Sequence, residues 1–317
     1  MNPRVSIIIP CREVNDYTQE CIKHCTGLDY PDYEVLVLPD AGAEINLPSV
    51  KVIPTGIVSP SQKRNLALKV TGDIIAFIDD DAYPSRDWLK EGVKHFQAED
   101  IAAVGGPAVT PPDDPLVAKA GGLVFSSFLG SGSMRYRYIP RERRDVDDYP
   151  SCNLIIRKSV FQELNGFRTN FWPGEDTVLC LDIIHRLKKR IIYDPGTLVY
   201  HHRRNLFKPH LEQVWSYGVH RGYFVKKYPE TSLRLSYALP SLLLLGIIFG
   251  IPAAVFSPVL RILFLSVLGL YLLLLLIFSL LTRDLKAAPL VFLGIALTHL
   301  TYGLGFLVGL CKRSLVR

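Results

Sequence analysis

The sequence predicts an α/β domain built on a doubly wound, mostly parallel sheet and followed by an α-helical membrane region. Three observations carry that prediction. Short apolar segments alternate with helical ones through the first 205 or so residues, the pattern of a sheet with helices on its faces. One apolar segment, Ile74-Ile-Ala-Phe-Ile78, stops on Asp79, Asp80 and Asp81. From Tyr237 to Cys311 charge nearly vanishes, with only Arg261, Arg283, Asp284 and Lys286 interrupting.

The elements follow in order. Val5–Pro10 is a near-continuous apolar strand, as a strand buried on both faces requires. Residues 16–26 have helical spacing. Glu34–Leu38 is a second strand ending at Pro39-Asp40, and 50–54 a third. A helix over 62–70 leads to the strand that ends at Asp79. A helix over 88–97 precedes a fifth strand at 102–105. Residues 107–150 carry Pro107, Pro111, Pro112 and Pro115 and read as a loop-rich flap. Order returns with a strand at 151–156, a helix over 161–167 ended by Gly166, and a helix over 177–187. Strands at 190–193 and 198–201 follow. In such a sheet ligands bind beyond the carboxyl ends of the strands, where Pro10, Arg12, Glu13, Asp40 and Asp79–Asp81 all fall.

The chain has 317 residues, is 49% hydrophobic and carries a net charge of +6, with a mean hydropathy of +0.20. That apolar excess is concentrated in blocks at about 237–256, 259–281 and 287–310, each near or above the roughly 20 residues that span a bilayer. Residues 206–236 mix Trp215, Tyr217 and Tyr223 with Lys and Arg, which suits amphipathic helices in the headgroup zone. The expected organisation is therefore a cytoplasmic catalytic domain (1–205), interfacial helices (206–236) and about three apolar helices (237–317). The expected location is the inner or plasma membrane. His299, the ionisable group inside the third block, reads as interhelical packing with Tyr302. No basic stripe with interleaved aromatics lies on the first domain, so nucleic acid is not an expected partner. The six cysteines show no framework or zinc spacing and read as core thiols.

The chemistry centres on the carboxylates. Three adjacent negative charges cannot remain in a dry interior without a counter-charge. A hard divalent cation held through oxygen, with substrate phosphates completing its shell, supplies one. Asp79 and Asp81 stand two apart and share a side of an extended segment; they are the candidate ligands, with His201 a further one. Asp176, following Glu175 after Pro173-Gly174, is the candidate base. Arg203 and Arg221 are candidate phosphate contacts, because a guanidinium matches phosphate oxygens bidentately.

These residues carry a resemblance. Val5-Ser-Ile-Ile-Ile-Pro10, Lys63-Arg64-Asn65 ahead of Gly72–Asp81, Asn153-Leu-Ile-Ile-Arg157 before Asn165-Gly166-Phe167, and Gly174-Glu175-Asp176 before Arg186-Leu187 form an ordered set. It resembles family 2 glycosyltransferases of the GT-A fold over about residues 4–205. The resemblance implies direct displacement with inversion at the anomeric carbon, assisted by Mn²⁺ or Mg²⁺. It implies that Pro10 and Asp40 line the nucleobase pocket and that Lys63, Arg64, Asp79 and Asp80 serve the donor. Arg12 and Glu13 stand where the family often shows an Asn-Glu pair. Asp176, with Glu175, takes the catalytic place, and Asn153 and Trp172 the acceptor side. The implied partners are a nucleotide-sugar donor, a lipid-linked acceptor and membrane lipids, with a homo-oligomer left open. A polyprenyl-diphosphate saccharide and a polyprenyl monophosphate are the alternative acceptors. A membrane-tethered nucleotide-binding module without activity is the non-enzymatic alternative.

Overall fold

The computed structural model describes residues 2–168, 171 and 173–315. In chain order the strands are β1 (Val5–Pro10), β2 (Tyr33–Leu38), β3 (Val50–Val52), β4 (Ile74–Ile78), β5 (Ala82–Pro84), β6 (Ile101–Gly105), β7 (Ala108–Val109), β8 (Arg144–Val146), β9 (Asn153–Arg157), β10 (Arg190–Tyr193) and β11 (Val199–His201). The helices are α1 (Asp16–Cys25), α2 (Pro60–Arg64), α3 (Trp88–Val93), α4 (Leu116–Ser126), α5 (Phe128–Ser131), α6 (Lys158–Glu163), α7 (Glu175–Leu181), α8 (Lys208–Lys227), α9 (Pro229–Ser232), α10 (Leu235–Phe256), α11 (Pro258–Leu280) and α12 (Ala288–Cys311). They form two compact units. The first comprises Met1–Val109 and Tyr136–His202; the second comprises Thr110–Arg135 and Arg203–Arg317.

The first unit holds an eight-stranded sheet in the order β3-β2-β1-β4-β9-β6-β10-β8. β3, β2, β1 and β4 are mutually parallel. β9 runs antiparallel between β4 and β6, which leaves β6 and β10 pointing the same way as β4. The carboxyl ends of β1, β2, β4, β6 and β10 therefore share one edge. Residues such as Ile7, Ile9, Val35, Val37, Ile74 and Ile78 bury themselves against Cys21, Ile22 and Cys25 of α1 and Trp88 of α3. Cys11, Cys21, Cys25 and Cys180 are buried free thiols, whereas Cys152 is half-buried and Cys311 exposed, so the core reading holds for four of the six. A second sheet, β5-β11-β7, sits beyond the shared edge. Of its strands only β11 is expected from the sequence, at 198–201; β5 and β7, of three and two residues, carry no periodicity.

Several expected boundaries shift. The helix expected over 62–70 is α2 followed by a 3-10 stretch, Asn65–Lys69. The helix expected over 161–167 lies earlier, at Lys158–Glu163, because Asn165 and Gly166 take left-handed φ of 63° and 76°. The helix expected from Thr177 begins at Glu175 and passes into a π-helical stretch, Asp182–Arg186. The flap expected over 107–150 contains β7, α4, α5 and β8. Its prolines mark a loop only up to Pro115, which immediately precedes α4 and suits a helix start. The first domain expected as one stretch to residue 205 is thus interrupted, with Thr110–Arg135 belonging to the second unit.

In the second unit α10, α11 and α12 are each long and apolar enough to cross a membrane. α8 packs along α12, and the two run in the same direction. His210 meets Thr298 at 2.9 Å near one end, and Lys226 donates to the Lys312 carbonyl at 2.6 Å near the other. Glycines make the approach possible. A Cβ on Gly222 would stand 2.0 Å from the Phe306 carbonyl oxygen, and one on Gly309 would stand 2.1 Å from that of Val219. A Cβ on Gly218 or Gly305 would stand 2.6 or 2.9 Å from the facing backbone. Each helix thus presents a Gly-x-x-x-Gly face to the other, the arrangement by which helices associate closely in lipid. His299 packs between helices as expected, but its partner is Tyr271 rather than Tyr302. Tyr271 Oη and His299 Nδ1 are 2.9 Å apart, and His299 Nε2 donates to the Leu129 carbonyl at 2.8 Å.

Candidate active site

β4 delivers Asp79 to the shared edge, and the chain turns at once, the Ala82 N–H donating to the Asp79 carbonyl at 3.1 Å. It then enters β5, which pairs antiparallel with β11, Ala82 facing His201. That pairing brings the imidazole to the carboxylates: His201 Nε2 lies 3.0 Å from Asp81 Oδ1. Asp79, Asp81 and His201 each offer a ligand atom within 4.8 Å of the others. Two hard carboxylate oxygens and one imidazole nitrogen form a donor set that fits Mn²⁺. Asp80 lies between the ligands. Burial, with Asp81 and Asp79 beside it, pushes its carboxyl up to about 7, the response of a cluster short of positive charge.

The counter-charge that the protein itself supplies is Arg64. It closes α2 and is 5% exposed. Its Nη2 donates to Asp79 Oδ1 at 2.6 Å, and its Nη1 to Glu175 Oε1 at 3.3 Å. This contact joins the candidate cation ligands to the start of α7. Gly174 precedes that helix with φ of 119°, a conformation that favours glycine. Asp176 follows, its Oδ1 accepting the Thr177 N–H at 2.8 Å and its Oδ2 the Ser151 N–H at 3.4 Å. Glu175 is different. It is 4% exposed, and burial and Asp176 push its carboxyl up while Arg64 opposes them. Expected beside Asp176 as a catalytic group, it is enclosed on Arg64 and out of an acceptor's reach.

On the donor side Pro10 ends β1 opposite Leu38. Arg12 and Glu13 are exposed just beyond it, and the Arg12 carbonyl accepts the Asp40 N–H at 2.9 Å. Lys63 is 3% exposed. It donates to the Leu38 carbonyl at 3.2 Å, the Cys11 carbonyl and the Asp40 carboxylate, tying the ends of β1 and β2 to Asp40 from behind. Burial, then Asp80, pushes the Cys11 thiol up to about 12, so it is no nucleophile.

One acceptor assignment is corrected. Asn153 is 0% exposed. Its Nδ2 donates to the Gly106 and Thr197 carbonyls at 2.6 and 2.8 Å, and its Oδ1 accepts from Trp88 Nε1 at 2.8 Å. An amide saturated in this way is a core fastener with nothing left for a substrate. Trp172 lies outside the described residues. Arg203 and Arg221 belong to the second unit. There Arg203 Nε meets Thr110 Oγ1 at 3.4 Å, and Arg221 lies 5.1 Å from the Tyr237 ring centre. The link from Arg64 to Glu175, across 111 residues of sequence, had no local signal.

The fold and the site define a glycosyltransferase of the GT-A type. The chain belongs to glycosyl transferase family 2, whose pattern it matches over residues 6–164. It is similar to a dolichyl N-acetyl-α-D-glucosaminyl phosphate 3-β-D-2,3-diacetamido-2,3-dideoxy-β-D-glucuronosyltransferase of Methanococcus voltae. The two are 23% identical over 243 residues, which is 70% of this chain and 74% of that one. A pre-mycofactocin glycosyltransferase of Mycobacterium tuberculosis is 28% identical over 179 residues, 56% of this chain; the chain spans only 37% of that relative's length. A glucosyl-dolichyl phosphate glucuronosyltransferase of Haloferax volcanii is 28% identical over 153 residues, covering 46% of this chain and 47% of that relative. Among solved structures, the mannosyltransferase PcManGT from Pyrobaculum calidifontis, in complex with GDP-Man and Mn²⁺, shares the fold. Its TM-score is 0.64 at 17% identity, covering 99% of this chain and 89% of that one.

Proposed function

We propose that the protein is a membrane-anchored, metal-dependent, inverting glycosyltransferase that moves a sugar from a nucleotide-sugar donor to a hydroxyl of a lipid-linked saccharide at the cytoplasmic face. The observation that carries this reading is the continuous charged chain from His201 through Asp81 and Asp79 to Arg64, Glu175 and Asp176. The names of two relatives, which describe transfer to sugars on dolichyl phosphate, support the acceptor class. Three helices fit to cross a membrane support the anchor.

In this reading Pro10, Arg12, Glu13 and Asp40 border the nucleoside, with Lys63 holding Asp40. Asp79, Asp81 and His201 would hold the cation, Mn²⁺ being favoured by the imidazole. When bound, the cation neutralises charge on the departing diphosphate. Asp176 accepts the proton of the acceptor hydroxyl as its oxygen attacks the anomeric carbon. The bond from that carbon to the diphosphate breaks, and the nucleoside diphosphate leaves with its electron pair. Arg203 and Arg221 serve the lipid phosphate.

The test uses membranes holding the full chain, a panel of radiolabelled sugar nucleotides, and Mn²⁺ or chelator. A labelled lipid that needs Mn²⁺ and is cleaved by mild acid supports the reading. Label that reaches only water-soluble product contradicts it. Asp176→Asn adds the acceptor type: loss of turnover indicates a hydroxyl acceptor, and near-normal turnover a lipid monophosphate.

A further inference from the structure

Arg64 is placed unusually for an arginine beside two carboxylates. A guanidinium is a rigid fork, and its strongest pairing sets two parallel N–H donors on one carboxylate. Here the fork is split, with Nη2 on Asp79 and Nη1 on Glu175. The split is not the arrangement that satisfies most hydrogen bonds. Among the described residues, Arg64 Nε and Glu175 Oε2 are both buried without a partner. Buried polar atoms are seldom left so, and an exception calls for an explanation. A fork closed on either carboxylate would use more of these atoms.

We infer that Glu175 is a positioning residue for the cation site: by holding Nη1 of Arg64 it keeps the fork from closing on Asp79, so that Asp79 is pinned by one oxygen and its other oxygen stays available to the cation. The inference rests on the metal-dependent reading above. Its physical content is a competition. With Glu175 in place, Arg64 contributes positive charge to the cluster but occupies only Oδ1 of Asp79. Without it, nothing else described holds Nη1, and the guanidinium swings fully onto Asp79 and covers both of its oxygens. The cation then loses a ligand of the set Asp79, Asp81 and His201. Asp176 adjoins Glu175 in sequence; its carboxylate accepts from the Thr177 and Ser151 amides, and its charge acts on Glu175 and Arg64.

The test is Mn²⁺ affinity of the purified full-length protein in detergent, without donor, read by isothermal titration or by the spin signal of free Mn²⁺. Glu175→Gln, which keeps the volume and removes the charge, weakens Mn²⁺ binding by about tenfold or more, the usual effect of removing a group that supports a ligand. Asp176→Asn leaves Mn²⁺ affinity unchanged. If Glu175 acts through Arg64, then Arg64→Met and the double variant Arg64→Met/Glu175→Gln bind Mn²⁺ equally, because the fork is gone in both. The double variant also removes both buried charges at once, so it serves where the single change prevents folding. Mn²⁺ affinity within twofold of wild type in Glu175→Gln overturns the inference. So does a loss on adding Glu175→Gln to Arg64→Met as large as in the wild-type background. Asp81→Ala distinguishes the two levels. Loss of Mn²⁺ binding there with normal binding in Glu175→Gln sinks only the role of Glu175. Mn²⁺ binding that survives Asp81→Ala sinks the cation site itself, and the inference with it.

Discussion

The two units are held together by opposite means. The catalytic unit gathers charge. At its sheet edge Arg64 and His201 stand among Asp79, Asp80, Asp81, Glu175 and Asp176, and Asp79, Asp81, Glu175 and Asp176 each take a hydrogen bond or ion pair from a different element. The second unit removes side chains. α8 and α12 meet where Gly218, Gly222, Gly305 and Gly309 leave room for backbone against backbone. The difference follows from what each must do. In the proposed reading the first handles a diphosphate, which needs charges that would repel one another in its absence. Helices in lipid gain nothing from burying more apolar surface and must rely on close approach.

The comparison predicts that damage to the charged edge of the first unit removes activity without unfolding, whereas damage to the α8–α12 contact of the second lowers stability. The largest expected effect is at the base. Asp176→Asn lowers transfer to a hydroxyl acceptor by about 10²–10⁴-fold with an unchanged melting temperature, measured as labelled lipid per unit time. Chelation follows: EDTA abolishes transfer by the wild-type protein, and added Mn²⁺ restores it. Next is the helix pair. Gly222→Leu places atoms where the Phe306 carbonyl already stands and destabilises by about 1–3 kcal/mol, seen as a lower unfolding midpoint in detergent. Gly246→Leu and Gly269→Leu, which meet nothing within 4 Å, leave that midpoint unchanged. Equal effects at all three glycines would erase the contrast between the units.

The smallest effect concerns a carboxylate of the first unit far from the chemistry. Burial raises the Glu34 carboxyl, but Lys51, Thr71 and Ser6 together outweigh burial and hold it down at about 2. A carboxyl held below its unfolded value stabilises the fold above the ordinary carboxylate range and loses that contribution as pH falls towards 2. Glu34→Gln therefore lowers the unfolding midpoint at pH 7, and the gap to wild type closes as the pH is lowered. A gap that stays constant with pH would show that its hydrogen bonds, not its charge, matter.

The sequence made the parallel strands readable because they are buried on both faces and so apolar without a break, as at Val5–Pro10. It also made the metal-side acids readable, because Asp79–Asp81 end such a run. It hid whatever depends on residues meeting across the fold. β5 is too short to announce itself, yet its pairing with β11 sets His201 on Asp81. Asn153 looked like a polar residue free for substrate, and only its four partners, Gly106, Pro107, Thr197 and Trp88, reveal a core amide. In the second unit hydropathy gave the length of α12 but not its neighbour. The glycines of α8 lie among aromatic and basic residues that read as interfacial helices.

The most direct test of the account is Mn²⁺-dependent transfer of labelled sugar to lipid by wild type, Asp81→Ala and Asp176→Asn in the same membranes. The account predicts labelled lipid from wild type with Mn²⁺, none from Asp81→Ala at any Mn²⁺ concentration, and almost none from Asp176→Asn despite normal Mn²⁺ binding. Labelled lipid formed equally by wild type and Asp81→Ala, with or without chelator, would contradict it.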